Sequence, residues 1–220
     1  GSTWQGWITA FNDGKGRFAS GEAQVLEHAE KYSSIVYLDG ADVDGDGLVD
    51  LVVGKKHHTL IFLNEGQGIF RETATWQEEA FVGVGDVDGD GDADVATSLY
   101  HPGNHDRPAQ ERRLRVTLHL NDGRGGFTRK DGPEEKGWSP YALDDFDGDG
   151  RAELVGWWSS DDNLDARLRV CSRFSGEGWR DCVEIPFQQL PMVRKYYVWA
   201  GTSYLGDLDG DGRWDLGRPM

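Results

Sequence analysis

Asp42-Val-Asp44-Gly-Asp46-Gly-Leu-Val-Asp50 is the stretch that determines the fold, because close copies of it occur four times along the chain. The other copies are Asp86-Val-Asp88-Gly-Asp90-Gly-Asp-Ala-Asp94, Asp145-Phe-Asp147-Gly-Asp149-Gly-Arg-Ala-Glu153 and Asp207-Leu-Asp209-Gly-Asp211-Gly-Arg-Trp-Asp215. An apolar or aromatic stretch precedes each copy, and most copies run on into a second one, as at 51–53. This pattern predicts two β-strands joined by a tight acidic turn. We call the four segments Asp loops 1 to 4.

A second motif, with a Gly-x-Gly turn, alternates with the Asp loops. Its copies are Phe11-Asn-Asp-Gly14-Lys-Gly16-Arg-Phe18, Leu63-Asn-Glu-Gly66-Gln-Gly68-Ile-Phe70 and Leu120-Asn-Asp-Gly123-Arg-Gly125-Gly-Phe127, with Gly176-Glu-Gly178-Trp179 as a degenerate fourth. Because Gly and Asn tolerate positive φ, this composition between alternating apolar runs predicts a β-hairpin. We call these turns the Gly hairpins.

The order of the two motifs predicts an all-β fold, a β-propeller of four blades in one domain over residues 1–220. The Asp loops begin 44, 59 and 62 residues apart, which fits one four-stranded antiparallel sheet per blade. Each Asp loop would join strands 1 and 2, and each Gly hairpin strands 3 and 4. The sequence starts with a hairpin and finishes with an Asp loop, so N- and C-terminal strands would share one blade and close the ring. The alternative is a fragment of a larger propeller cut within a blade, and the ending Arg218-Pro-Met220 is compatible with it.

The two cysteines, Cys171 and Cys182, flank the fourth Gly hairpin. If Gly176-Glu177 form a two-residue type II′ turn, Cys171 lies opposite Cys182, within disulfide range. The same register sets Arg173 opposite Arg180, which argues against it. We favour a disulfide and therefore an oxidising compartment, extracellular or secreted, with the periplasm or the cell surface as alternatives. The competing interpretation is a pair of buried free thiols in a cytosolic protein.

Carboxylates at positions 1, 3, 5 and 9 of each Asp loop predict a calcium site. Calcium takes about six to eight oxygen ligands in flexible geometry, and glycines at positions 4 and 6 let the backbone wrap an ion. Four loops with four carboxylates each carry sixteen negative charges, and the formal net charge is −16. The carbonyl at position 7 would add one ligand per loop, from Leu48, Asp92, Arg151 and Arg213. An EF-hand does not fit, because position 12 is Val53, Thr97, Gly156 and Arg218 instead of the required Glu.

The charge and the apolar content also exclude classes of partner. A chain this acidic repels nucleic acid and anionic membrane surfaces. No apolar stretch approaches the length that spans a bilayer, so we expect no membrane insertion.

The combined pattern resembles the FG-GAP/VCBS repeat family, whose members include the propeller of integrin α chains and fungal propeller lectins. The resemblance is carried by residues 42–53 followed by Leu60-Ile-Phe-Leu-Asn-Glu-Gly-Gln-Gly-Ile-Phe70, and it covers nearly the whole chain. It implies up to four Ca²⁺ ions on the Asp loops. By this resemblance the ligands are Asp42, Asp44, Asp46, Asp50, Asp86, Asp88, Asp90, Asp94, Asp145, Asp147, Asp149, Glu153, Asp207, Asp209, Asp211 and Asp215. Glu153 departs from the usual Asp, and four blades are fewer than the seven usual in the family.

Because strand direction alternates within a blade, its connections alternate between two faces. The Asp loops and Gly hairpins share one face, and the strand 2–3 loops and blade-to-blade connections share the other. We expect a glycan or protein ligand on that second face, because it combines aromatic platforms with hydrogen-bonding side chains. The candidate ligand-binding residues are His57, His58, Tyr100, His101, His105, Trp138, Trp157 and Trp158. The alternative is that about half or more of the tryptophans pack between blades.

These observations favour a calcium-binding extracellular recognition module, with lectin-like carbohydrate binding as the first hypothesis. A protein-binding module for adhesion or inhibition is the second. A polysaccharide lyase or hydrolase is the third, and a calcium-stabilised spacer is the fourth. No G-x-S-x-G, H-E-x-x-H or P-loop motif occurs, so we assign no catalytic residues and favour a non-enzymatic role.

Overall fold

Sixteen β-strands form the computed structural model, which describes residues 6–25, 35–55, 57–99, 113–159, 166–175, 178–186, 204–206 and 215–217. In chain order the strands are β1 (Gly6–Asn12), β2 (Phe18–Val25), β3 (Ile35–Ala41), β4 (Asp50–Lys55), β5 (His58–Asn64), β6 (Phe70–Gln77), β7 (Glu79–Gly85), β8 (Asp94–Leu99), β9 (Arg113–Asn121), β10 (Phe127–Lys136), β11 (Trp138–Asp144), β12 (Glu153–Ser159), β13 (Ala166–Ser175), β14 (Gly178–Pro186), β15 (Tyr204–Gly206) and β16 (Asp215–Gly217). In the part of the chain that the structure describes, no helix is long and apolar enough to cross a membrane.

Twelve of the strands form three antiparallel sheets of four, each in sequence order. They are blade 1 (β3–β6), blade 2 (β7–β10) and blade 3 (β11–β14). In each blade the Asp loop joins the first and second strands and the Gly hairpin joins the third and fourth, as predicted. The predicted fold class, an all-β propeller, is confirmed. Strands β1–β2 and β15–β16 form two further antiparallel pairs. Their union into one closing blade stays a prediction.

Each complete blade buries side chains on both faces, because side chains alternate sides along a strand. In blade 1, Val52 and Ile61 point toward blade 2, while Val53 and Leu60 point to the opposite face. All four side chains are at most 6% exposed. Burial of each such side chain contributes about 1.5–3 kcal/mol. In blade 1 the second and third strands therefore carry continuous apolar runs, at 51–53 and 60–63.

Separate apolar cores lie between successive blades. The core between blades 1 and 2 contains Val43, Val52, Ile61, Phe81, Val84 and Val95. The core between blades 2 and 3 contains Val82, Val87, Ala96, Val116, Leu118, Trp138, Leu143, Ala152 and Leu154. A further cluster of Val155, Trp157 and Leu168 lies on the other face of blade 3. The cores stack side by side in chain order, as a propeller requires.

The first strands of neighbouring blades lie next to one another, β7 between β3 and β11. Glycine permits the closest of these contacts. A Cβ added at Gly83 in β7 would lie 2.6 Å from the Leu143 backbone nitrogen in β11. Blades 2 and 3 therefore touch backbone to backbone at this point.

The β1–β2 hairpin packs on the face of blade 1 that points away from blade 2. The Trp7 ring meets Phe62 edge to face, with centroids 4.9 Å apart, and meets Phe70 in the same way at 5.9 Å. Gln24 Nε2 donates a hydrogen bond to the Phe70 carbonyl. The N-terminal hairpin thus occupies the side of blade 1 that the closing blade would fill.

The predicted disulfide is confirmed, and so is the register around it. Cys171 of β13 pairs with Cys182 of β14, and the two sulfurs are bonded. Arg173 does stand opposite Arg180. The repulsion is relieved because Arg173 approaches Asp181 to 3.8 Å, while Arg180 donates a hydrogen bond to the Ser175 hydroxyl. The predicted Gly176-Glu177 turn lies outside the described residues.

Candidate metal centres

The first carboxylate of Asp loop 1 organises the turn from inside. Asp42 accepts a hydrogen bond from the Gly45 N–H and another from the Gly47 N–H, each at 2.8 Å. Both glycines have positive φ, of 75° and 86°, which L side chains rarely adopt. The repeated Gly-x-Gly of the loop is therefore what lets the backbone curl around its first carboxylate.

Asp loops 2 and 3 repeat this geometry. Asp86 accepts from the N–H groups at positions 4 and 6 of its loop at 2.6 and 2.9 Å, and Asp145 does so at 2.7 and 2.9 Å. In all three loops the position-5 carboxylate accepts from the position-7 N–H, at 2.7 to 3.0 Å. The residues at position 5 are Asp46, Asp90 and Asp149. Three sequence repeats thus give one repeated local structure.

The carboxylate at position 9 is buried and accepts hydrogen bonds from two parts of its blade. Asp50, at 0% exposure, accepts from the Val43 N–H at 2.8 Å and from the Asn64 N–H at 2.7 Å. Asp94, also at 0%, accepts the equivalent pair from the N–H groups of Val87 and Asn121, both at 2.8 Å. Each of these carboxylates ties its Asp loop to the Gly hairpin of the same blade.

Blade 3 has Glu153, also buried, at position 9 in place of Asp. One oxygen of Glu153 accepts from the Phe146 N–H at 2.9 Å. Burial is the main cause that raises the pKa of Glu153 to about 7, and the neighbouring loop aspartates raise it further. Burial and the charges of Asp88 and Asp90 likewise raise the pKa of Asp94 to about 6. The loops concentrate negative charge at partly desolvated positions.

Three carboxylates come together in each of the three described Asp loops. One oxygen from each lies within 4.8 Å of the other two in the groups Asp42–Asp44–Asp50, Asp86–Asp88–Asp90 and Asp145–Asp147–Glu153. The donors are all oxygens, and no Cys or His belongs to any group. Hard oxygen donors with several carboxylates fit Ca²⁺ better than Zn²⁺ or copper, which prefer nitrogen and sulfur. The residues present therefore fit calcium.

The fourth Asp loop is described only where it meets its strands. Strand β15 precedes it and strand β16 begins at Asp215, as the repeat predicts. The remaining predicted ligands, Asp207, Asp209, Asp211 and the carbonyl of Arg213, lie outside the described residues.

The predicted ligand-binding residues fall into three groups: two buried tryptophans, three half-buried side chains, and three residues outside the described structure. Trp138 and Trp157 are buried, at 3% and 7% exposure, and belong to the cores on the two sides of blade 3. His57 and His58 lie at the turn between β4 and β5, and Trp158 near the end of β12, all half-buried. Arg167 stacks on the Trp158 ring at 5.6 Å from its centroid. Tyr100, His101 and His105 lie outside the described residues.

Two asparagines that the sequence predicts as turn residues also fix the Asp loops. Asn64 and Asn121 open their Gly hairpins and donate backbone N–H groups to the position-9 carboxylates. Their repetition in the Leu-Asn-acidic-Gly motif is a signal that could have revealed this role.

One known family matches the segments that contain these loops. The model of the FG-GAP-like repeat matches residues 42–97, from Asp loop 1 to β8, and residues 86–156, from Asp loop 2 to β12. No curated protein matches the sequence. Repeats of this kind indicate a propeller-type module for recognition or adhesion. Because the two matches together span more than half of the sequence, and each begins at an Asp loop, the chain belongs to the FG-GAP-like repeat family.

Proposed function

We propose that the chain is a calcium-binding recognition module in which each Asp loop binds one Ca²⁺ ion, up to four per chain. One observation carries the proposal. Asp loops at the same position in three successive blades each bring three carboxylate oxygens within 4.8 Å of one another. A bound ion would offset the like charges of the loop and fix the junction between the first two strands of its blade.

The residues that would hold the ions follow the loop positions. Carboxylates at positions 1, 3 and 5 and the carbonyl at position 7 would face the ion. The position-9 carboxylate would complete the shell while it keeps its backbone hydrogen bonds, because a carboxylate has about four acceptor sites. The carbonyls are those of Leu48, Asp92 and Arg151, and that of Arg213 in Asp loop 4.

Calorimetric titration of the chelator-treated chain with calcium tests this proposal. Asp44→Asn keeps the shape of Asp loop 1 and removes one charged ligand, so we expect one fewer ion bound or a large loss of affinity at one site. Asp13→Asn is the matched control, since Asp13 lies in a Gly hairpin and, among the described residues, accepts hydrogen bonds from the backbone N–H groups of Lys15 and Arg17. Equal titration curves for the native chain and both variants would overturn the proposal.

We also propose an extracellular or secreted location. The Cys171–Cys182 disulfide and the FG-GAP-like repeats support it, since disulfides persist mainly in oxidising compartments. Peptide mapping of the protein isolated from its native source, under non-reducing conditions, tests this. Recovery of both cysteines as free thiols would overturn it.

For the ligand, we propose a carbohydrate on the face opposite the Asp loops. Support comes from the half-buried Trp158 with Arg167 stacked on it, and from the histidines of the β4–β5 turn. An aromatic ring beside hydrogen-bond donors suits a sugar face. A glycan array probed with and without calcium tests the assignment. We expect Trp158→Ala to abolish binding and Ile69→Ala, an exposed site on the Asp-loop face, to leave it intact. Absence of any glycan signal would favour a protein ligand instead.

A further inference from the structure

Asn121 is a buried side chain that contacts two Asp loops at once. It is the last residue of β9 and is 5% exposed. Its amide nitrogen Nδ2 donates to the Val43 carbonyl in Asp loop 1 at 2.8 Å and to the Ala93 carbonyl in Asp loop 2 at 3.1 Å. Its backbone N–H donates to Asp94 of Asp loop 2 at 2.8 Å. One residue of blade 2 therefore bridges two candidate metal centres.

The Val43 peptide connects this bridge to the carboxylates of Asp loop 1. Val43 stands at position 2, between the first two carboxylates of the loop, and its side chain is fully buried. Its N–H donates to Asp50 at 2.8 Å. Its carbonyl accepts from Asn121 and also from the Gly125 N–H at 2.9 Å. A continuous hydrogen-bonded path thus runs from Asp50 through Val43 and Asn121 to Asp94.

We propose that Asn121 is the positioning residue that couples calcium binding at Asp loop 1 to calcium binding at Asp loop 2. This inference rests on the calcium function proposed above. An ion in Asp loop 1 immobilises the Val43 peptide, because the carboxylates on both sides of it are ligands. Val43 then holds Asn121, and Asn121 holds Asp94 and the Ala93 carbonyl. Part of Asp loop 2 is therefore already ordered when the second ion binds. Binding then costs less conformational entropy, and the affinity for the second ion is higher.

The equivalent residue of blade 1, Asn64, provides a matched control. Its backbone N–H donates to Asp50 at 2.7 Å, and its Nδ2 donates to the Val49 carbonyl at 2.9 Å. Both acceptors belong to Asp loop 1. Asn64→Ser therefore disturbs one loop from the same kind of position without touching the bridge between loops 1 and 2. Asn121→Ser keeps a hydroxyl acceptor for the N–H groups of the turn but is too short to reach both carbonyls.

Amide signals of two loop glycines report the two sites separately in a calcium titration of the nitrogen-15-labelled full chain. Gly47 donates to Asp42 in Asp loop 1, and Gly91 donates to Asp86 in Asp loop 2. Each signal should move when its own loop binds calcium. The titration midpoint of the Gly91 signal then measures the affinity of site 2 in every variant.

The double substitution Asp42→Asn with Asp44→Asn removes two ligands and so disables site 1, the proposed calcium site of Asp loop 1. This double substitution is introduced into the native chain, into Asn121→Ser and into Asn64→Ser. We expect the Gly91 midpoint to rise about fivefold or more in the native and Asn64→Ser backgrounds, and less than about twofold with Asn121→Ser. The change of charge in loop 1 is the same in all three backgrounds, so an electrostatic effect alone would persist in Asn121→Ser.

Two results would overturn the coupling alone. One is a Gly91 midpoint that does not change when site 1 is disabled in the native background, a comparison that does not depend on the folding of Asn121→Ser. The other is a fivefold effect that persists in Asn121→Ser. If neither glycine signal of the native chain responds to calcium, the calcium function itself fails and the coupling falls with it.

Discussion

A buried carboxylate, Glu79, holds a row of polar side chains between blades 1 and 2, and we predict that Glu79→Gln destabilises the protein. Glu79 is 3% exposed. Its Oε2 lies 2.6 Å from His119 Nε2 and accepts from the Thr97 hydroxyl at 2.7 Å, while Arg129 pairs with Oε1. Trp76 of blade 1 stacks on the His119 ring with centroids 3.5 Å apart. Glutamine keeps the shape of the side chain but removes the charge that its partners surround.

The size of the effect follows from the pKa of Glu79. Burial alone would raise this pKa, but hydrogen bonds from His119 and Thr97, with the charges of His119 and Arg129, lower it from 4.5 to about 2. The ionised group therefore stabilises the fold above pH 4.5 and loses that contribution as the pH falls toward 2. A tenfold change in proton affinity is worth about 1.4 kcal/mol, so the contribution is about 3 kcal/mol at neutral pH. About half of it remains near pH 3.

Urea unfolding followed by tryptophan fluorescence, at constant calcium, measures this contribution. The native chain, Glu79→Gln and the control Glu65→Gln are compared at neutral pH and near pH 3. Glu65 pairs with Arg71 on the surface, where ion pairs contribute less than about 1 kcal/mol. If Glu79→Gln is no more destabilising than the control at neutral pH, the ionised Glu79 does not stabilise the fold. An effect of Glu79→Gln that is as large near pH 3 as at neutral pH would show that the loss does not come from the charge.

Three further predictions concern the stability of the fold. Calcium at 100 times its dissociation constant should add about 2.7 kcal/mol, so the melting temperature should fall when EGTA replaces calcium, and an unchanged melting temperature would count against calcium binding. Reduction of the Cys171–Cys182 disulfide should remove about 3 kcal/mol, visible as a lower urea midpoint with dithiothreitol; equal midpoints would contradict this. Gly83→Ala should cost about 1–3 kcal/mol, because its Cβ would lie 2.6 Å from the Leu143 nitrogen, and a native melting temperature would show that β7 and β11 are not in contact.

The fold and the Asp loops were predictable because backbone geometry fixes their sequence. Only glycine readily takes the positive φ of Gly45 and Gly47, so the spacing of the glycines in the sequence is enough to predict the turn. The Cys171–Cys182 register was predictable for a similar reason, since a two-residue hairpin leaves one pairing.

Contacts between distant residues could not be predicted in this way. Asn121 satisfies the hairpin pattern by itself, and only the packing of blades brings Val43 to its amide. The sequence likewise gives no signal that Glu79, the first residue of β7, reaches His119 two strands away. Trp138 was predicted to bind a ligand, yet it lies in the core between blades 2 and 3. Tryptophan occurs both in binding sites and in buried cores, so the residue type alone does not distinguish the two.

The number of calcium ions that remain bound to the chain tests the central claim most directly. The full chain is equilibrated with calcium, separated from free ions by gel filtration and analysed for metal and protein content. We expect one ion for each Asp loop, up to four per chain, and one fewer after Asp42→Asn with Asp44→Asn. Calcium content no higher than that of a protein-free control would show that the Asp loops do not bind calcium.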